Sequence, residues 1–119
     1  MRKIIFAVDF DGTLSLGSFP ECGPPNEELI TVCKDIISRP REQRNMLLIL
    51  WTSRKGEYLD NAVEWSREQG IIFDGINALP PDEDLLFPDD NRKLWADYYI
   101  DDRAYTPAEF CNAYLTHRI

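Results

Sequence analysis

Stretches of continuous apolar residues alternate along the chain with stretches in which apolar residues recur at helical spacing. The first pattern is typical of strands that are buried on both faces, and the second is typical of helices that bury one side. In chain order they predict a strand at 3–9, a helix that begins after Asn26 and is stopped by Pro40, a strand at 46–51, a helix at 56–69, strands at 71–73 and 97–100, and a helix from Thr106 to about Leu115. Asn26 and Thr106 are residue types that cap helix N-termini, and Gly70 is typical of the position after a helix end.

This alternation predicts an α/β fold with a mostly parallel central sheet covered on both faces, as a three-layer Rossmann-like sandwich. The length of 119 residues fits a single domain over 1–119. Ligands bind such sheets beyond the carboxyl ends of the strands. Polar residues at or just past the predicted strand ends are therefore expected to converge at one edge, and they are Asp9, Thr52, Asn77 and Asp101.

The chain is acidic, with 21 acidic and 13 basic side chains and a formal net charge of -8. Such a surface repels polyanions, so we expect no stable binding to nucleic acid, although a nucleotide or a strand end remains feasible as a substrate. The three cysteines include no Cys-x-x-Cys pair, which favours free thiols and a cytoplasmic protein. We predict no signal peptide and no membrane span, because no apolar run approaches ~20 residues.

The first predicted strand runs directly into Asp9-Phe10-Asp11-Gly12-Thr13. Two close carboxylates repel each other unless a cation or a proton lies between them. The pair therefore indicates a divalent metal site with oxygen ligands, in which one acid is available as a nucleophile. In isolation, the same two acids could also serve as a turn or capping device.

Four segments of the chain together resemble the motifs of the haloacid dehalogenase superfamily of phosphohydrolases, in the same order. They are Val8-Asp9-Phe10-Asp11-Gly12-Thr13, Leu48-Ile49-Leu50-Trp51-Thr52-Ser53-Arg54, Lys93, and Tyr98-Tyr99-Ile100-Asp101-Asp102. The resemblance covers almost the whole chain, and the first motif is complete. The segments from Trp51 to Glu57 and from Tyr98 to Arg103 look like a subgroup of very short, uncharacterised bacterial and phage members.

The resemblance implies a phosphatase that depends on Mg²⁺ and passes through an aspartyl-phosphate. Asp9 would be the nucleophile, and Asp11 would act as general acid and then as general base. The metal ligands would be the Asp9 carboxylate, the Asp11 backbone carbonyl and the acidic pair of the fourth motif. Asp101 is the expected direct ligand in that pair, and Asp102 is expected to act through water.

Thr52 and Lys93 are further catalytic residues that the resemblance implies. Phosphate oxygens would be held by residues of the first three motifs. These residues are Gly12, Thr52, Ser53 and Lys93. Arg54 and Asn77 are candidates for substrate contact, but a salt bridge for the first and a turn for the second explain them at least as well.

Many members of this superfamily carry a cap domain, and the short segments 12–25 and 77–93 leave no room for one. An open site would admit large phosphorylated substrates such as nucleotides, nucleic-acid ends or proteins. Two other functions fit the same residues. One is a phosphate-binding or phosphoryl-responsive module with little turnover, and the other is a phosphotransferase with an acceptor other than water.

Overall fold

The computed structural model describes residues 3–81, 83 and 96–119. These residues form, in chain order, β1 (Ile4–Asp9), α1 (Glu27–Ile37), a 3-10 helix (Arg41–Gln43), β2 (Met46–Trp51), α2 (Gly56–Glu68), β3 (Gly75–Ile76), β4 (Tyr98–Ile100) and α3 (Pro107–Leu115). None of the helices in this described part is long and apolar enough to cross a membrane.

The four strands form one parallel sheet in the order β3-β2-β1-β4. The α/β class with a parallel central sheet is therefore confirmed. Because β1 lies between β2 and β4, its carboxyl end has a neighbouring strand on each side. Asp9 pairs with Trp51 of β2, and Val8 pairs with Ile100 of β4. The segments that follow these three strands consequently leave the sheet side by side.

Both faces of β1 and β2 are buried, which explains their uninterrupted apolar sequences. Successive residues of a strand point to opposite faces. One face packs with all three α-helices, in a core that includes Phe6, Val8, Leu48, Leu50, Leu29, Ile36, Ala62 and Phe110. The other face contains Ile5, Ala7, Leu47 and Ile49, which pack with Ala96 and with the partly buried Trp51, Leu79 and Tyr99. The sheet thus lies between two apolar layers.

The predicted starts of α1 and α3 are confirmed by their capping hydrogen bonds. The Asn26 side chain accepts from the backbone N–H of Leu29 and caps α1. Thr106 caps α3 in a reciprocal arrangement with Glu109, and Pro107 occupies the first turn. These local signals fix where α1 and α3 begin, and the buried face of each helix then sets how it packs on the sheet.

The third strand differs from the prediction. The apolar residues 71–73 are not a strand, and β3 begins only at Gly75. Ile71 instead closes the end of α2, because its N–H donates to the Ser66 carbonyl and its side chain is buried in the main core. The chain joins the sheet directly after Asp74, whose carboxylate forms a bidentate ion pair with Arg44. The apolar residues therefore serve helix packing, and the polar Asp74 anchors the approach to the sheet.

Candidate active site

Asp9 ends the central strand, and its carboxylate lies in a partly buried position at the carboxyl edge of the sheet. Its Oδ1 accepts a hydrogen bond of 2.8 Å from the N–H of Phe10. On one side, Thr52 directly follows Trp51, the β2 residue that pairs with Asp9. On the other side, Asp101 directly follows Ile100, the last residue of β4. The sheet therefore brings the predicted nucleophile, the predicted phosphate ligand and the predicted metal ligand to neighbouring positions.

Burial raises the pKa of Asp9 to about 6 from its ordinary value of 3.8. The hydrogen bond from Phe10 works in the opposite direction, and the negative charges of Asp101, Asp11 and Asp102 add to the rise. These repulsions mean that the four acids of the first and fourth motifs lie in one electrostatic cluster. A cation bound there would relieve the repulsion, and so would a proton.

Asp101 is held by its own turn. Its Oδ1 accepts from the backbone N–H groups of Arg103 and Ala104 at 2.9 and 2.5 Å. Its own backbone N–H donates to the carbonyl of Tyr105. Asp102 is exposed. The second oxygen of Asp101 and both oxygens of Asp102 make no hydrogen bond within the described part of the chain. These oxygens are available to an added ligand.

Asp11 is bound by Arg54 through both of its oxygens. The Nε of Arg54 lies 2.9 Å from Oδ2, and Nη2 lies 2.7 Å from Oδ1. The Arg54 side chain is only 1% exposed, whereas that of Asp11 is 28% exposed. The hydrogen bond to Asp11 is the largest cause of the raised pKa of Arg54. The pair therefore fixes the Asp11 side chain while leaving part of it open to solvent.

The rest of the Arg54 guanidinium is also occupied by protein. Nη1 donates to the carbonyl of Tyr58 at 3.2 Å, and Nη2 donates to the carbonyl of Glu21 at 3.0 Å. The rings of Phe10 and Phe19 lie 4.8 and 5.2 Å from its central carbon. The suggestion that Arg54 contacts substrate is therefore corrected, because Arg54 forms the alternative salt bridge and is buried.

Asn77 and Thr52 form a second structural link. The Asn77 Oδ1 accepts from the N–H of Thr52 at 2.8 Å, and Asn77 has a φ of 54°. Asn77 is thus a turn residue whose side chain binds the backbone just after β2. This is the structural role given above as the alternative to substrate contact. The Thr52 hydroxyl accepts from the Arg54 N–H at 3.2 Å and keeps its own proton for donation. It does not cap α2, which follows Lys55 without a side-chain cap.

The remaining predicted phosphate ligands fare differently. Gly12 has a φ of 78°, and its N–H donates to the Ser15 carbonyl at 2.8 Å. The N–H of Gly12 is therefore committed to the turn and is not free to hold phosphate, which corrects that prediction. Ser53 is exposed at the edge. Lys93 lies outside the described residues.

The segment from Gly12 to Pro25, here called the flap, is closed at its neck. The Ser15 hydroxyl accepts from the N–H groups of Gly17 and Gly23 at 3.3 and 2.8 Å. The two glycines approach so closely that a Cβ on Gly23 would lie 2.3 Å from the Gly17 nitrogen. The sequence predicts only that segment 12–25 is too short for a cap domain, and nothing in it indicates that Gly17 and Gly23 come together.

The flap also brings an exposed aromatic residue to the site. The Phe19 ring meets that of Tyr58 on α2, with centroids 5.0 Å apart and planes inclined at 60°. Sequence reasoning missed both residues, because neither belongs to a motif and the contact is tertiary. The Phe19 ring lies next to the Arg54 guanidinium, which also binds Asp11, and Tyr58 adjoins Phe19 and gives its backbone carbonyl to Arg54.

Oxygen donors of the kind that Mg²⁺ prefers are present at this edge. Within residues 3–81, 83 and 96–119, however, no three His, Cys, Asp or Glu side chains are grouped closely enough to hold a metal ion by themselves. The ligand set implied by the resemblance uses a backbone carbonyl beside its carboxylates, and Mg²⁺ usually keeps several waters. The residues present therefore fit Mg²⁺ in donor chemistry.

The fold and the site together define a parallel α/β protein that collects carboxylates at a ligand-binding edge. No protein-family model matches the chain, and no curated protein matches it. Among solved structures, it is similar to a conserved protein from Bacteroides thetaiotaomicron, with a TM-score of 0.75 and 30% identity over 99% of this chain and 94% of that one. The chain belongs to the same family as that conserved protein.

Proposed function

We propose that the protein is a Mg²⁺-dependent phosphomonoesterase that resembles the haloacid dehalogenase superfamily in mechanism. The observation that carries the proposal is the strand register, which aligns Asp9 between the segments bearing Thr52 and Asp101. Three motifs that are distant in sequence thereby meet at the edge where parallel sheets bind ligands. The raised pKa of Asp9 is consistent with it: burial is the main cause, and the smaller repulsions from Asp101, Asp11 and Asp102 are ones that a bound cation would relieve.

In this proposal Asp9 attacks phosphorus as the nucleophile. An Asp9 oxygen forms a bond to phosphorus, the bond from phosphorus to the leaving oxygen breaks, and water later cleaves the aspartyl-phosphate. The Thr52 hydroxyl would donate a hydrogen bond to a phosphate oxygen. Asp9, the Asp11 carbonyl, Asp101 and Asp102 would hold Mg²⁺, which supplies positive charge against the negative phosphate when bound.

Asp11 would protonate the leaving oxygen and then take a proton from the attacking water. Both of its oxygens accept hydrogen bonds from Arg54, so proton transfer requires one oxygen to leave the guanidinium. The 28% exposure of the Asp11 side chain leaves it accessible to a substrate. The Asp11–Arg54 ion pair therefore belongs to the site without substrate, and turnover requires the Asp11 side chain to change conformation.

The same pair favours a second candidate function. If Asp11 stays bound to Arg54, it can neither protonate a poor leaving group nor activate water. The site would then take phosphate only from a donor with a good leaving group and would hydrolyse the aspartyl-phosphate slowly. The protein would then be a phosphate-binding or phosphoryl-responsive module with little turnover. Both functions are proposed for a cytoplasmic protein, since Cys22, Cys33 and Cys111 are free thiols.

Hydrolysis of an aryl phosphate by the purified protein tests the first function. We expect phosphate release that requires Mg²⁺ and is abolished by chelation. Asp9→Asn should lower kcat by at least about 1,000-fold, because an amide cannot take the place of the nucleophile. The matched control is Glu42→Gln, which makes the same carboxylate-to-amide change in the exposed 3-10 helix before β2 and should leave the rate unchanged.

Equal rates for the wild-type protein and Asp9→Asn would refute the role of Asp9. The second function predicts a different result with an acyl-phosphate donor such as acetyl phosphate. The wild-type protein would then become labelled at one site, Asp9→Asn would not, and little phosphate would be released at steady state. Rapid release of phosphate would eliminate the second function.

A further inference from the structure

Two large aromatic side chains lie exposed beside the acidic edge. Phe19, on the flap, is 55% exposed, and Tyr58, in the first turn of α2, is 40% exposed. Their rings already contact each other edge to face. An exposed aromatic pair of this kind has no role in the core, and ring surfaces left open beside a site are suited to binding another ring.

Arg54 connects this pair to the acids. Its guanidinium contacts the Phe19 ring at 5.2 Å, donates to the carbonyl of Tyr58 and binds both oxygens of Asp11. A single guanidinium group thus lies between the Asp11 carboxylate and the Phe19 ring, which Tyr58 adjoins. Asp11 is the group proposed to protonate the leaving oxygen, so a substrate group beyond that oxygen would lie near Asp11, one guanidinium away from the Phe19 ring.

The position of Phe19 is fixed before any ligand arrives. The neck of the flap is closed through Ser15, and the Gly23 carbonyl accepts from the Trp65 indole at 3.2 Å. The carbonyl of Glu21, two residues after Phe19, accepts from Arg54. A binding surface that is already ordered loses less conformational freedom on association than a mobile one.

We propose that Phe19 and Tyr58 bind the base of a nucleoside monophosphate, and that this class of ester is the substrate. The inference rests on the proposed function, because it assumes that the phosphate lies at Asp9. A mononucleotide places one sugar between phosphate and base, which suits a ring site one side chain away from Asp11. The net charge of -8 opposes a polymer with many phosphates but admits a ligand with one.

Calorimetric titration of Asp9→Asn in Mg²⁺ buffer tests the ring site without turnover. We expect adenosine monophosphate to bind more tightly than ribose 5-phosphate, which has the sugar and phosphate without the base. Adding Phe19→Leu should raise the Kd for adenosine monophosphate about 5- to 10-fold, since base stacking on an aromatic ring is lost. The Kd for ribose 5-phosphate should not change.

Two further variants complete the test. Phe19→Tyr keeps a ring and should preserve the affinity for adenosine monophosphate. Leu115→Ala removes a different exposed apolar side chain, 59% exposed at the end of α3, and should change neither Kd. Equal affinities of Asp9→Asn for the two phosphates, or an effect of Phe19→Leu on both, would overturn the ring site.

The ring site and the proposed function fail in distinguishable ways. Aryl phosphate hydrolysis without any preference for adenosine monophosphate over ribose 5-phosphate would leave the phosphatase standing and eliminate the ring site. Binding of adenosine monophosphate that weakens with Phe19→Leu, in a protein that hydrolyses no ester, would support base binding at the ring site but refute the phosphatase and the nucleotide as its substrate. Failure of both binding and hydrolysis would overturn both.

Discussion

Arg54 and Asp11 lie 43 residues apart and form the most highly connected polar pair at the candidate site. Breaking a buried ion pair by removing one partner leaves the other charge with too few hydrogen bonds. We expect Arg54→Met and Asp11→Asn each to lower the free energy of unfolding. The loss in the double variant should be smaller than the sum of the two single losses, and the difference, the coupling free energy, should be about 2 kcal/mol.

Urea denaturation of the four proteins in this cycle measures the coupling. A coupling below about 0.5 kcal/mol would mean that the two side chains act independently in solution. Asp60→Asn with Arg54→Met provides the control, because Asp60 is an exposed acid on α2. The losses in that control cycle should simply add.

Thr13 and Ser15 are both buried hydroxyl residues of the flap, and they differ in their hydrogen bonds. The Thr13 hydroxyl has no partner among the described residues, whereas the Ser15 hydroxyl accepts from two N–H groups. Removing an unpaired buried hydroxyl removes the free-energy cost of its desolvation. Removing a paired one leaves its hydrogen-bond partners buried and unsatisfied. We expect Thr13→Val to be neutral or stabilising by up to about 1 kcal/mol, and Ser15→Ala to destabilise by about 1–3 kcal/mol.

Thermal and urea unfolding of these two variants measure the difference. The prediction fails if Thr13→Val costs as much as Ser15→Ala. That result would mean that the Thr13 hydroxyl makes a bond in solution that stabilises the turn after Asp11.

At the scale of elements, β3 shows how a short strand depends on its surroundings. It has two residues, and it pairs with β2 through Gly75 and Ile76. A Cβ on Gly75 would lie 2.1 Å from the carbonyl oxygen of Ala78. We expect Gly75→Ala to destabilise the protein by about 1–3 kcal/mol, because the backbone of the following turn must move.

Gly12→Ala is an informative companion to that variant. A Cβ on Gly12 would meet nothing within 4 Å, but its φ of 78° is unfavourable for alanine. Its cost, about 1 kcal/mol, comes from the backbone conformation alone. Urea unfolding should therefore separate a steric cost at β3 from a conformational cost at the flap. A neutral Gly75→Ala would show that the end of β3 adapts freely.

The whole molecule's stability should depend on the protonation of Asp9. Its pKa is about 6 in the folded protein and 3.8 ordinarily, so the folded state binds the proton more tightly. The resulting stabilisation is fully present below about pH 4 and is lost as pH rises through 6. It amounts to about 2–3 kcal/mol.

Asp9→Asn removes this dependence and is the reference for measuring it. In chelator, we expect the wild-type protein to lose free energy of unfolding relative to Asp9→Asn between pH 4 and pH 7. Above pH 7 the difference should be constant. A difference that stays flat across this range, or that changes in the opposite sense, would show that Asp9 is not buried beside the other acids as described.

How far the sequence predicts this structure depends on the range of each interaction. β1, β2 and the three helices were predicted because their apolar patterns and caps are local, as at Asn26 and Thr106. The third strand was misplaced because Ile71 looks like a strand residue, while Asp74 is fixed by Arg44, thirty residues earlier. The acidic edge was predicted because strands of a parallel sheet end at a common edge. The Asp11–Arg54 and Phe19–Tyr58 contacts carried no sequence signal that would choose them among alternatives.

The amino-acid sequence by itself determined the α/β class, the strands that carry the acidic motifs and the edge to which those motifs come. It did so because periodic burial, helix caps and strand direction are properties of local sequence. Tertiary structure alone decided which guanidinium binds Asp11, how the flap closes and which aromatic rings lie beside the site. Those choices depend on side chains from separate elements competing for the same few partners, and that competition exists only once the chain is folded.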